Sequence, residues 1–323
     1  MLETSFQELV ERHRRELRVH CYRMLGSFSE SEDLVQETFL RAWRARGDFE
    51  GRSSLRTWLY RIATNACLDV LARRPRRVLP QDLGPASAPD VYLPPRTDIP
   101  WLQPFPDSLL AGDEPDAEVV ARETIELAFL AAVQHLPPRQ RAVLILRDVL
   151  GWRAAEVAAL LETSVASANS ALQRARGTLR EHLPQRRSDW TRPAAPTPEE
   201  LELRDRFMAA FERSDVAAIA ELLHADARAV MPPYPMWHEG RDTITTALSG
   251  SLDKSSASYI GELRLLPTAA NRQPAAAFYV RAPGDTEFRA FAVDLLRIED
   301  GRIVEIAAFH AELFGAFGLP LVL

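Results

Sequence analysis

Two groups of side chains in this sequence have the types and spacing to handle nucleic acid, and one carboxylate lies inside a strand-like apolar run. Between Phe49 and Arg61, the arginines Arg52, Arg56 and Arg61 are interleaved with Phe49 and Tyr60. Guanidinium groups that neutralise phosphate, beside flat rings on which an unpaired base can stack, are what capture of a single strand requires. Farther along, Ser167, Asn169, Ser170, Gln173, Arg174 and Arg176 dominate the early exposed positions of a helical pattern. In a major groove Asn and Gln can pair with adenine and Arg with guanine. The carboxylate is Asp294, inside the strand-like run AFAVDLLRI, where burial would demand a partner.

Elements must hold these groups. From Asp33 to Asn65 the sequence DLVQETFLRAWRARGDFEGRSSLRTWLYRIATN contains two amphipathic helical patterns joined by a polar loop. In the first, Val35, Phe39, Ala42 and Trp43 recur at helical spacing, while Asp33, Gln36, Glu37, Arg41 and Arg44 fall on the other side. Ser29 followed by Glu32 has capping-box spacing, which sets the expected start. In the second, Leu55, Leu59, Ile62, Ala66 and Val70 form the buried stripe and leave Arg56, Tyr60, Arg61, Asn65 and Asp69 facing outward. The loop GDFEGRSS supplies two glycines and helix-capping serines. Helices are expected as a pair over 5–26, then over 29–46 and 53–73. The second binding group has the outline of a helix-turn-helix: a helix from Arg153 to Leu161, the turn ETS, and a longer helix beginning near Ser164 or Val165.

The wording DLVQETFLRAW, then F-x-G-R-S-S-L-R-T-W-L-x-R-I-A-x-N, resembles region 2 of bacterial sigma factors of the extracytoplasmic-function group, and the helix-turn-helix downstream resembles region 4. The resemblance implies that the polar face of the first helix docks on RNA polymerase core through Asp33, Gln36, Glu37 and Arg41. It implies too that Phe49, Arg52, Ser53, Ser54, Arg56, Trp58, Arg61 and Asn65 lie at or near the melted promoter, and that the 164–176 helix reads the upstream promoter element. One departure is the run Val165 to Ala171, where many relatives carry a basic residue; fewer cations predict weaker backbone anchoring. A rival reading is a one-component ligand-sensing regulator whose helix-turn-helix binds DNA unaided, which leaves Asp33, Gln36 and Glu37 without a role.

Charge is distributed to match. Residues 1–77 carry 15 arginines against 11 acidic residues, and residues 118–192 carry 11 against 8, so these two pieces are basic although the chain as a whole has a net charge of -6. Residues 78–117 are acidic, 1 arginine against 7, and residues 193–323 are acidic, 11 arginines and Lys254 against 19. A length of 323 residues suggests two or three domains. No segment approaches the apolar run of a membrane helix, and the amphipathic start lacks an apolar signal core, so a cytoplasmic protein without membrane attachment is expected. Cys21 and Cys67 lie inside helical apolar patterns and are expected as packed thiols, too few for a metal site.

The domains expected are 1–77, a proline- and aspartate-rich linker over 78–117, a helix-turn-helix domain over 118–185, and a domain of different character over 199–323. Tyr92, Trp101 and Phe105 are unusual in a passive tether, so the linker is expected to dock, either on polymerase or on the chain's own C-terminal domain. In the last domain, helices at 199–213, 215–224 and 241–250 precede strand-like runs at 258–267, 274–282, 287–298 and 302–311, the last two joined by the hairpin signal Glu299-Asp300-Gly301. Helices on a curved antiparallel sheet make an α+β cone. ARAVMPPYPMWHEGRDTI and DLLRIEDGRIVEIAAFH resemble the SnoaL-like branch of the nuclear-transport-factor-2 superfamily. That resemblance implies a pocket with His238, His310 and Asp294 as polar candidates and Tyr234, Trp237, Met231 and Phe309 as walls. No nucleophile or metal-ligand spacing accompanies them, so no catalytic residue, metal or cofactor is assigned, and a regulatory role is expected. The fold class is therefore two all-α sigma domains followed by an α+β cone.

Overall fold

The computed structural model describes residues 2–49, 54–110, 125–183 and 195–323. The described residues fall into two compact units, one drawn from Met1–Arg77, Leu102–Phe105 and Leu109–Arg192, the other from Val78–Trp101, Pro106–Ser108 and Pro193–Leu323. The segment expected as a linker is thus shared between the units, and most of it belongs with the C-terminal one.

Among the described residues, the regular elements of the first unit are all helices. Helices α1 (Leu2–Glu11), α2 (Arg14–Leu25), α3 (Phe28–Arg44) and α4 (Leu55–Leu71) precede α5 (Leu127–Gln134) and α6 (Pro138–Leu144), which runs into a π-turn over Ile145–Val149. Then come α7 (Ala154–Leu160) and α8 (Val165–His182). Leu17, Met24, Val35, Leu59 and Ala63 fill the core between α2, α3 and α4. Cys21 and Cys67 are buried free thiols there. The start of α3 differs from the capping-box expectation: Ser27 accepts the hydrogen bond from the Glu30 backbone, while the Ser29 hydroxyl turns to the Gln103 side chain. Arg141, buried on α6, donates to the carbonyls of Met24, Gln134 and Leu136, so its charge is solvated by α2 and its own neighbourhood; burial lowers its pKa to about 10.

The second unit places α9 (Pro198–Glu212), α10 (Val216–Leu222) and α11 (Arg241–Leu252) against a six-stranded sheet. The strands are β1 (Leu223–Val230), β2 (Trp237–Glu239), β3 (Glu262–Ala270), β4 (Gln273–Arg281), β5 (Arg289–Glu299) and β6 (Arg302–His310), in the order β2-β1-β6-β5-β4-β3. All pairings are antiparallel except β1 with β6. The hairpin at Asp300 and Gly301 has both residues at positive φ (49 and 71), the twist that a two-residue turn between right-twisted strands needs. Phe207, Phe211 and Phe278 meet between α9 and the sheet, with ring centroids 4.7 and 5.1 Å apart along the chain of contacts. β1 and β2 lie outside the four strand-like runs expected from the sequence.

Candidate functional sites

On α3 the apolar stripe and the polar face separate. Val35 and Ala42 are buried, Phe39 and Trp43 half-buried, and Asp33 and Gln36 exposed. Glu37 accepts from Arg41 Nε at 2.8 Å, and Arg41 also reaches Asp69 on α4 at 3.5 Å. These carboxylates, Glu37 foremost, raise the pKa of Arg41. Asp33, Gln36, Glu37 and Arg41 therefore share one patch, partly tied to α4.

Helix α4 begins at Ser54, whose hydroxyl accepts from the Thr57 backbone at 3.1 Å. Arg52 and Ser53 lie outside the described residues. Phe49 packs on Trp58 with centroids 5.1 Å apart, and Trp58 is buried. Arg61 and Asn65 are exposed. Arg56 and Tyr60 differ from the outward reading. Arg56 Nε donates to Glu16 at 2.7 Å, the Tyr60 hydroxyl donates to the same carboxylate at 3.1 Å, and the Arg56 guanidinium lies 5.0 Å from the Tyr60 ring centroid. Trp152 covers Tyr60 at 5.2 Å, leaving the tyrosine 1% exposed. Periodicity along α4 alone could not disclose that cover, because Trp152 comes from a distant part of the chain.

Glu16 is the residue that sequence reading missed. Burial alone would raise its pKa, but the His13 hydrogen bond and the Arg56 cation outweigh that and hold it below the ordinary glutamate value. The only signal in the sequence is a charge beside the apolar positions of α2.

In the helix-turn-helix, Glu162 takes a positive φ of 52 at the turn and Ser164 caps α8 by accepting from the Ser167 backbone at 3.1 Å. Ala168, Leu172 and Ala175 bury one face. Ser167, Asn169, Ser170, Gln173 and Arg174 are exposed on the remainder. Arg176 departs from this set: it is half-buried and makes two bonds to Asp148, 2.8 and 2.7 Å long.

The C-terminal unit contains a cavity of about 780 Å³ on the α-helical side of its sheet. Tyr234, His238, Asp294 and Met231 line it; Trp237, Phe309 and His310 are not among the lining residues. Phe309 is buried, one residue out of phase with the lining Ala308, and His310 is exposed at the strand end. Trp237 instead donates its indole N–H to the Gly84 carbonyl at 2.9 Å. Asp294 is 8% exposed, and burial pushes its pKa up to about 7. Among the described residues, no group of three or more His, Cys, Asp or Glu side chains is arranged to hold a metal ion. None of the described helices is long and apolar enough to cross a membrane.

Comparison with known proteins matches residues 9–77 to Sigma-70 region 2, residues 126–179 to Sigma-70 region 4, and residues 205–306 to the SnoaL-like domain. The ECF RNA polymerase sigma factor SigG of Mycobacterium tuberculosis (strain ATCC 25618 / H37Rv) is 47% identical over 319 residues, covering 98% of this chain and 84% of that protein. The chain belongs to the extracytoplasmic-function sigma factors. A further relative, SigJ of the same strain, is 27% identical over 310 residues, with 94% of this chain and 89% of SigJ covered. The crystal structure of Mycobacterium tuberculosis SigJ shares the fold: a TM-score of 0.62 at 22% identity, covering 98% of this chain and 99% of that one. The sigma factor thus carries a SnoaL-like extension after its two helical modules, and a transcription initiation factor, rather than a one-component regulator, accounts for the whole length of the match.

Proposed function

We propose that this sigma factor joins RNA polymerase core through the α3 patch of Asp33, Gln36, Glu37 and Arg41, and captures the melted promoter strand with the Phe49–Asn65 region. Within that region Arg52, Ser53, Ser54, Arg61 and Asn65 provide the polar contacts, Phe49 and Trp58 the stacking surface, and Arg56 joins them when it leaves Glu16. The 118–185 module reads the upstream promoter element as duplex, through Ser167, Asn169, Ser170, Gln173 and Arg174, with Arg176 available once it leaves Asp148. The 199–323 domain modulates activity and performs no catalysis. The single observation that supports the division is the separation of exposed groups: Asp33 and Gln36 on α3, and Arg61 with Asn65 on the outer side of α4.

The test uses purified core polymerase. Glu37→Arg is expected to lower core binding at least about tenfold, a loss of roughly 1.4 kcal/mol. Arg61→Ala is expected to leave core binding intact while reducing open-complex formation, read by permanganate footprinting of unpaired thymines. Equal loss of core binding in both variants would overturn the division. Truncation after residue 195 tests the modulating role: unchanged run-off transcription would remove it.

A further inference from the structure

The floor of the C-terminal cavity is built by three neighbouring strands. Asp294 on β5 stands between Ala276 of β4 and Ala308 of β6, its register partners. Methyl groups on both sides leave open space above the carboxyl, and paired residues across a sheet project to the same face. Phe211, Ile244, Phe278 and Ile306 supply much of the remaining wall. No hydrogen bond engages the Asp294 carboxyl among the described residues, and burial is what perturbs its ionisation. A carboxyl group more than nine-tenths buried, unpartnered and facing a cavity of about 780 Å³ is an unmet polar demand in a space of ligand size.

The mouth has an uncommon construction. Part of the wall is Pro89, Asp90, Val91 and Tyr92, from the segment between the two sigma modules. That segment is fastened as a strap along β2 and the preceding turn. Ser87 N–H donates to the Trp237 carbonyl at 2.7 Å, His238 Nδ1–H donates to the Ser87 carbonyl at 3.2 Å, and Arg96 N–H donates to the Pro233 carbonyl at 2.8 Å. Tyr92 sits against Tyr234 with centroids 5.9 Å apart. Few apolar groups anchor it, since Val91, Tyr92 and Leu93 are all exposed. Polar backbone bonds at a solvent-facing edge open more readily than a packed strand.

We propose that this cavity binds an uncharged, largely apolar small molecule through an acceptor oxygen that receives the Asp294 proton, and that residues 84–96 are a strap whose closure the bound molecule stabilises. An anion would meet Asp90 with like charge, and a cation would lose its hydration against a mostly apolar wall. A neutral molecule with a carbonyl or hydroxyl oxygen satisfies the carboxyl and fills the rest. Because strap residues form wall, a molecule that touches them binds the closed strap better than the open one, and binding and closure must favour each other reciprocally.

The experiment uses the full chain without polymerase or DNA, so its outcome is separate from that of the transcription tests. The probe is Nile red, an uncharged carbonyl-bearing dye, with anionic anilinonaphthalene sulfonate as the contrast. Nile red is expected to bind at one saturable site with blue-shifted emission, and the sulfonate to bind at least about tenfold more weakly. Asp294→Leu is expected to weaken Nile red about five- to tenfold, the equivalent of one hydrogen bond. Ala308→Phe and Ala247→Phe fill the cavity and are expected to abolish binding while the circular dichroism spectrum is retained. On the unaltered chain, Nile red at about ten times its Kd is expected to slow amide exchange at Ser87 and Arg96 about tenfold. Absence of saturable binding, undiminished binding in both folded filled variants, or unchanged strap exchange at saturation would each overturn the proposal.

Discussion

Glu16 and Asp294 are both carboxyl groups withdrawn from water, and the chain treats them in opposite ways. Glu16 is met by His13, Arg56 and Tyr60, so it stays ionised below the usual glutamate pKa. Asp294 has alanines at its flanks and a cavity before it, and its pKa climbs to about 7. The first arrangement ties α2 to α4 and fixes a local structure. The second costs stability and fixes nothing by itself, which is the pattern of a group kept for something that arrives later.

The largest test of that contrast is the pH dependence of the C-terminal unit. The folded pKa of Asp294 lies above its ordinary 3.8, so protonation favours the fold. Its contribution is complete below about pH 4 and is lost as the pH rises through 7. Asp294→Asn removes that dependence and is expected to stabilise the unit by roughly 3 kcal/mol at pH 8, with little difference at pH 4. Asp107, raised to about 6 by burial, shifts stability in the same direction in both proteins and cancels from the difference. Thermal melts of both proteins at the two pH values measure it; a gap that does not widen with pH would show that Asp294 is solvated or paired.

Glu16 should behave in reverse. Its folded pKa is depressed, so its contribution is present above 4.5 and disappears as the pH falls. Glu16→Leu removes the carboxylate to which Arg56 and Tyr60 both donate. Arg56 retains 34% side-chain exposure and can turn to water, so the cost is expected near 2 kcal/mol, below that of breaking a fully buried pair. Denaturant unfolding at pH 7 reads this, and the loss should shrink in acid. A constant loss across pH would assign the effect to packing instead of charge.

The same contrast explains what could be read from the chain in advance. Helices α3 and α4 were legible because their stripes, Val35 to Ala42 and Leu59 to Ala66, repeat at helical period over several turns. The β5–β6 hairpin was legible from Asp300-Gly301, a local signal. β1 and β2 were not: β1 directly follows α10 without a turn residue, and β2 is three residues long. Local windows also placed the α3 cap at Ser29 rather than Ser27, because both serines precede an acid by three residues. The fate of Tyr60 depended on Trp152, and that of Asp294 on the small residues across two strands, so neither was written near the residue itself. For the candidate sites, residue types were legible and partners were not.

The pair of Asp148 and Arg176 supplies the intermediate case, a carboxylate that is paired but solvent-accessible, with side chains 31% and 41% exposed. Two well-directed bonds hold Arg176, yet water screens the charges, so Asp148→Asn is expected to change stability by about 0.5 kcal/mol or less. Its effect on DNA should exceed its effect on folding. With Asp148 neutral, Arg176 loses its competing anion and becomes available to phosphate or guanine on the face that carries Asn169 and Gln173. Duplex promoter binding by holoenzyme is then expected to tighten about two- to threefold and to steepen in its salt dependence by about one counterion. Arg176→Ala in the same background should cancel the gain. If Asp148→Asn tightens binding equally with Arg176 removed, the effect belongs to the lost negative charge alone, and the ion pair does not restrain a DNA-reading arginine.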